Sequence, residues 1–111
     1  MQQLRSHRDH LRANVGGTDT ATGARLGHLL DLTPEGLGVS GRYPESEAWI
    51  RRLRLDLPVR IRQHRALELG VDFRWLGHVP GGRWHAGFRI TSVADEDLEI
   101  LEQLMTWYAE P

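Results

Sequence analysis

Leu67-Glu68-Leu69-Gly70-Val71-Asp72-Phe73-Arg74-Trp75 places an apolar residue at every second position, and the chain then passes through Pro80-Gly81-Gly82 into Trp84, Ala86, Phe88 and Ile90, again two apart. A period of two is that of a half-buried strand, and the Pro-Gly-Gly between two such runs is a hairpin turn. Upstream, Leu53, Leu55 and Leu57 alternate with Arg52, Arg54 and Asp56, which predicts a half-solvated antiparallel strand ending at Pro58. Leu37 and Val39, set among Gly36, Gly38 and Gly41, predict a short strand pressed against another backbone. Arg25 to Thr33 predicts a further strand, with Leu26, Leu30 and Leu32 on one face and Leu29, Asp31 and Thr33 on the other. Pro34-Glu35-Gly36 turns the chain between these two strands, and the run from Gly16 to Gly23 reads as a loop.

The period changes once. Leu98, Leu101, Met105 and Tyr108 recur at helical spacing, widened by Ile100, Leu104 and Trp107, and Asp95, Glu96 and Asp97 stand where a helix N-terminus favours negative charge. The spacing predicts one C-terminal helix over about 95–109. Short antiparallel strands with one helix cannot form a doubly wound sheet. The fold class is therefore mainly β: a small barrel, or tightly curled sheet, covered on one side or end by the helix.

At 111 residues the chain has the size of one domain and can bury its own core. Cysteine is absent, which excludes disulfides, thiolate metal sites and a cysteine nucleophile. No apolar run exceeds three residues and the first residues lack the hydrophobic segment of a signal peptide, so the expectation is a cytoplasmic protein without a membrane span. All fourteen basic residues are arginine. Six acids and no arginine fall in residues 94–111, which leaves fourteen arginines against nine acids, a net +5, in residues 1–93. A basic body with an acidic tail suits a small anionic ligand better than a duplex, which asks for one continuous basic face.

Two short patterns could carry chemistry. Residues 1–12 form an arm with only Met1, Leu4 and Leu11 as apolar groups, too few to anchor it to a core, and it carries RxxxR as Arg8-Asp9-His10-Leu11-Arg12. Residues 13–111 form the folded domain. Asp31-Leu32-Thr33-Pro34-Glu35-Gly36, at the end of a predicted strand, carries DxTxxG. Either pattern alone is commonplace: arginines are frequent here, and Asp or Thr beside a glycine often bonds its own backbone in a turn. No nucleophile with a base-forming pattern, no phosphate-binding loop, no dinucleotide fingerprint and no metal-ligand spacing is present, so neither an enzyme nor a metal site is expected.

In this order and within this strand pattern, the two motifs resemble those of the PilZ domain, the bacterial receptor module for cyclic di-GMP. The likeness spans nearly the whole chain. Gly-His-Leu-Leu-Asp-Leu-Thr-Pro-Glu-Gly-Leu-Gly-Val (27–39) is similar to the family's signature strand-turn-strand, Gly70-Val71-Asp72-Phe73-Arg74-Trp75 to its later strand, and Ala86-Gly87-Phe88-Arg89-Ile90 to the strand before its terminal helix. The resemblance implies a six-stranded antiparallel split barrel with a C-terminal helix. It further implies that Arg8 and Arg12 clamp the phosphates and guanines of cyclic di-GMP, that Asp31 and Thr33 face guanine, and that Gly36 lets backbone approach the ligand. Arginine suits that task, because its planar fork can hold phosphate, reach guanine O6 and N7, and stack on a purine.

Three departures stand out. Threonine replaces the usual serine at 33, Glu35 stands where a small residue is common, and His7 precedes the first motif arginine where some members carry a further arginine. Glu35 is expected to point to solvent. Trp75 and His7 are additional candidate ligand contacts, Trp75 as a stacking surface for guanine. The expected function is a cyclic di-GMP receptor, with no cofactor, whose arm orders on binding and is read by a protein effector. Two alternatives remain open: a module of the same fold acting through protein contacts alone, as in type IV pilus assembly, and a single-stranded nucleic-acid binder using Arg51, Arg52, Arg54, Arg60, Arg62 and Arg65.

Overall fold

Six antiparallel strands close into one barrel in the computed structural model, which describes residues 11, 14–41 and 50–109. They are β1 (Gly16–Asp19), β2 (Arg25–Leu32), β3 (Gly36–Gly41), β4 (Arg52–Ile61), β5 (His64–Val79) and β6 (Arg83–Val93). Around the barrel they run β1-β2-β3-β6-β5-β4 and return to β1, so no strand edge is left open. A 3-10 turn at Asp95–Asp97 leads into the C-terminal helix Leu98–Ala109. Among the described residues no helix is long and apolar enough to cross a membrane.

The alternating leucines line the interior as their period requires. Leu53, Leu55, Leu67, Leu69 and Val71 meet Trp84, Ala86 and Phe88 in one core, and the helix adds Ile100, Leu101, Leu104 and Trp107. The β5–β6 hairpin turns at Pro80-Gly81-Gly82, where φ of 89° at Gly81 and 71° at Gly82 places both glycines in the left-handed region. Phe73 packs edge-on against Phe88 with ring centroids 6.0 Å apart.

Four expectations change. The run from Gly16 to Gly23 contains β1, which pairs with β4 from Gly16↔Asp56 to Asp19↔Leu53 and with β2 on its other side. Gly16 and Gly17 have no side chains to signal a period, so this strand is specified by its neighbours. Thr18 Oγ1 donates to Asp56 Oδ2 at 2.9 Å, and the Asp19 carboxylate accepts from Ala21 N and Thr22 Oγ1, both at 3.0 Å, which turns the chain back into β2.

In β2 the pairing shifts from Leu29↔Val39 to Asp31↔Gly38, a β-bulge at Leu30. Leu29 and Leu32 are therefore buried while Leu30 is exposed, and the predicted Leu26-Leu30-Leu32 face does not form. β4 does not end at Pro58 but continues to Ile61. Its pairing with β1 stops at Asp56 and its ladder with β5 is interrupted between Asp56 and Ile61, so the missing N–H of Pro58 costs no ladder bond. Finally Leu11, counted with an unanchored arm, is buried in the core.

Leu53 is fully buried and Val59 is 41% exposed. Leu53→Ala should therefore lower the unfolding free energy by about 2–5 kcal/mol, and Val59→Ala should change it by less than about 0.5 kcal/mol. Urea denaturation of the two variants checks both.

Candidate functional site

The register places four outward positions in one row across four strands. Asp31 on β2 pairs with Gly38 on β3, Gly38 pairs with Gly87 on β6, and Gly87 pairs with Trp75 on β5. At about 4.8 Å per strand spacing, the row is about 14 Å long. Both ends owe their direction to a bulge. The extra residue on β2 turns Asp31 outward between buried Leu29 and Leu32, and on β5 the register shift between Phe73↔Phe88 and Trp75↔Gly87 turns Trp75 outward.

The two middle positions are glycines, and each leaves room for the side chain beside it. A Cβ on Gly87 would lie 2.2 Å from Trp75 Nε1, so the indole rests on bare backbone; a Cβ on Gly38 would lie 2.8 Å from Asp31 Oδ1. The result is a surface cleft of about 480 Å³ with Asp31 at one end, Trp75 at the other, and Thr33, Gly36, Arg74 and Arg89 around it. Trp75 is 52% exposed, so its indole is open to solvent. The Asp31 carboxylate has no hydrogen-bond or ion-pair partner among the described residues and is open to a ligand donor.

Thr33 and Gly36 also have structural duties. The Thr33 backbone N–H donates to Gly36 O at 2.8 Å, and the Thr33 hydroxyl lies 3.3 Å from both the N and the O of Gly36, so it closes the β2–β3 turn. A Cβ on Gly36 would stand 2.2 Å from Phe88 O. The glycine is thus required by the close approach of β6, whatever else approaches from outside. Glu35 is exposed at the cleft margin, and its backbone carbonyl accepts from Ile90 N at 3.4 Å.

Arg74 and Arg89, not singled out from sequence, are added by the structure. They line this cleft and also a neighbouring one of about 490 Å³ with Arg51, Asp72 and Phe73. Arg89 lies 3.9 Å from Asp72 with both side chains more than half exposed, a pairing that contributes little. Arg74 has no partner among the described residues. Alternation about buried Phe88 could have assigned Arg89 to the surface; Arg74 sits at the bulge, which alternation does not reveal.

His7, Arg8 and Arg12 lie outside the described residues, as does the ordering of the arm. Three of the six arginines considered for single-stranded nucleic acid are held in ion pairs: Arg52 with Glu68 at 2.7 Å, Arg54 with Asp56 at 2.8 Å and Arg62 with Glu99 at 2.8 Å. On the other side of Thr33, an apolar groove of about 430 Å³ is lined by Leu32, Pro34, Met105, Thr106, Tyr108 and Ala109. Comparison of the chain with family models, curated proteins and solved structures returns no match in any of the three.

Asp31 is exposed and holds nothing, whereas Gly36 is wedged against β6. Asp31→Ala should melt like the unaltered protein, within about 0.5 kcal/mol, and Gly36→Ala should lose about 1–3 kcal/mol or more. Thermal melts decide; a markedly lower melting temperature for Asp31→Ala would make Asp31 a structural turn residue.

Proposed function

We propose that the protein is a non-catalytic receptor for cyclic di-GMP of the PilZ type, binding the nucleotide along the Asp31-Gly38-Gly87-Trp75 row. The carrying observation is that an exposed indole and an unpartnered carboxylate stand at the two ends of a glycine-floored trough. A purine can stack on Trp75 while the carboxylate accepts from guanine N1–H and N2–H. Arg74 beside the trough offers a fork to phosphate. Arg8 and Arg12 complete the clamp from the arm, on either side of Leu11, which is buried in the core. Ordering of the remaining arm on the nucleotide then alters a surface that a protein effector reads.

Acting through protein contacts alone is the second reading, favoured by the apolar groove between the β2–β3 turn and the last turns of the helix. Titration calorimetry separates the two. Binding in the micromolar range or tighter, weakening with added salt, is expected for cyclic di-GMP. Cyclic AMP should bind poorly because adenine presents an acceptor at N1 where guanine presents a donor. Absence of heat at about 1 mM ligand, equivalent to about 4 kcal/mol of binding, would leave the protein-contact module.

Asp31→Ala should weaken binding by about 1–3 kcal/mol, and Trp75→Ala by about 1–3 kcal/mol for one stacked base. Arg8→Ala or Arg12→Ala should abolish or strongly reduce binding with an unchanged melting temperature, and lysine at either position should restore little, since it lacks the planar fork. Calorimetry paired with a melt of each variant is the check.

A further inference from the structure

At the opposite end of β2, β3 and β6 lies a second cleft, of about 310 Å³, lined by Arg25, Leu26, Gly27, His28, Ser40, Gly41 and Arg83. It shares no residue with the Asp31–Trp75 cleft. Among the described residues no carboxylate lines it. Neither Arg25 nor Arg83 has a partner among the described residues, whereas Arg52, Arg54 and Arg62 each hold a carboxylate within 2.8 Å. Two unneutralised guanidiniums therefore face one concavity.

The imidazole of His28 is oriented by Ser40. Ser40 Oγ accepts from His28 N at 3.1 Å, lies 3.2 Å from His28 Nδ1, and is 3.4 Å from His28 O. In the tautomer whose Nδ1 accepts from the Ser40 hydroxyl, the ring proton sits on Nε2, which is then a donor. Gly27 keeps the wall beside Ser40 free of a side chain, since a Cβ there would lie 2.4 Å from Ser40 Oγ.

We propose that this cleft binds a phosphate-type oxyanion, held by the forks of Arg25 and Arg83 and by Nε2–H of His28. β2 and β6 both neighbour β3, so Arg25 and Arg83 line the cleft from strands on its two sides. A carboxylate offers two oxygens, which one fork already occupies; the oxygens of a tetrahedral phosphate serve two forks and an imidazole at once. The volume is at the lower bound of small-molecule sites, which fits a phosphate group or a small phosphorylated metabolite.

Amide NMR spectra of the isotope-labelled full chain, titrated with inorganic phosphate and separately with acetate at constant ionic strength, test the site. Phosphate should shift Gly27, His28, Ser40 and Arg83 saturably, and acetate should not saturate. Arg25→Gln or Arg83→Gln should each weaken phosphate about tenfold, as expected for one charge-assisted contact, with unchanged melting, because both side chains are exposed. Asp31→Ala should leave the phosphate response intact. Absence of saturable shifts, shifts that survive the double Arg25→Gln, Arg83→Gln variant, or an acetate response equal to that of phosphate would overturn the proposal.

Discussion

The outer surface depends on the pairing of Gly38 with Gly87, because two glycines meeting across β3 and β6 leave the wall between Asp31 and Trp75 without side chains. With a Cβ at 87 the indole of Trp75 could not lie flat, and with a Cβ at 38 the Asp31 carboxylate would be displaced. Gly36 repeats the device one step along the same pair of strands, against the carbonyl of Phe88. Burial of Leu37 and Val39 on the inner face of β3 supplies the apolar contact that holds these backbones together.

Bulges on the two flanking strands use the trough that the glycines leave. A bulge changes which face a residue occupies without altering the strands on either side, so the core keeps its leucines while Asp31 and Trp75 leave the wall. Were Trp75 in phase with Phe73, it would face the interior. The same barrel wall thus separates an apolar inside, necessary for stability, from an outside carrying one carboxylate, one indole and free arginines.

Charge is distributed along the same lines. Arg52, Arg54 and Arg62, on β4 and at the β4–β5 turn, are matched by acids on β5, on β4 itself and at the start of the helix. Arg74, Arg25 and Arg83 have no partner among the described residues, and all three line clefts. An arginine without a carboxylate partner keeps its fork for an external anion. The arginines of the basic body thus fall into ion-paired ones, ones on the open surface without a partner among the described residues, such as Arg60 and Arg65, and those lining two concavities at opposite ends of β2, β3 and β6.

Alternation of leucine with charge in residues 53–57 and 67–71, the Pro80-Gly81-Gly82 turn and the helical spacing from Leu98 to Tyr108 were enough to specify a small antiparallel β fold with a C-terminal helix, because burial of one face imposes a period that local sequence displays. The Asp31, Thr33 and Gly36 pattern was also legible, though Thr33 and Gly36 are committed to the turn and to β6 as well. What only the tertiary structure decided is β1, whose glycines carry no period, the burial of Leu11, and the outward direction of Asp31 and Trp75. A bulge is a mismatch between two strands, so it exists in the pairing and in neither strand alone. The meeting of Asp31, Trp75 and Arg74, and that of Arg25 with Arg83, likewise follow from barrel closure, which joins positions far apart in the chain.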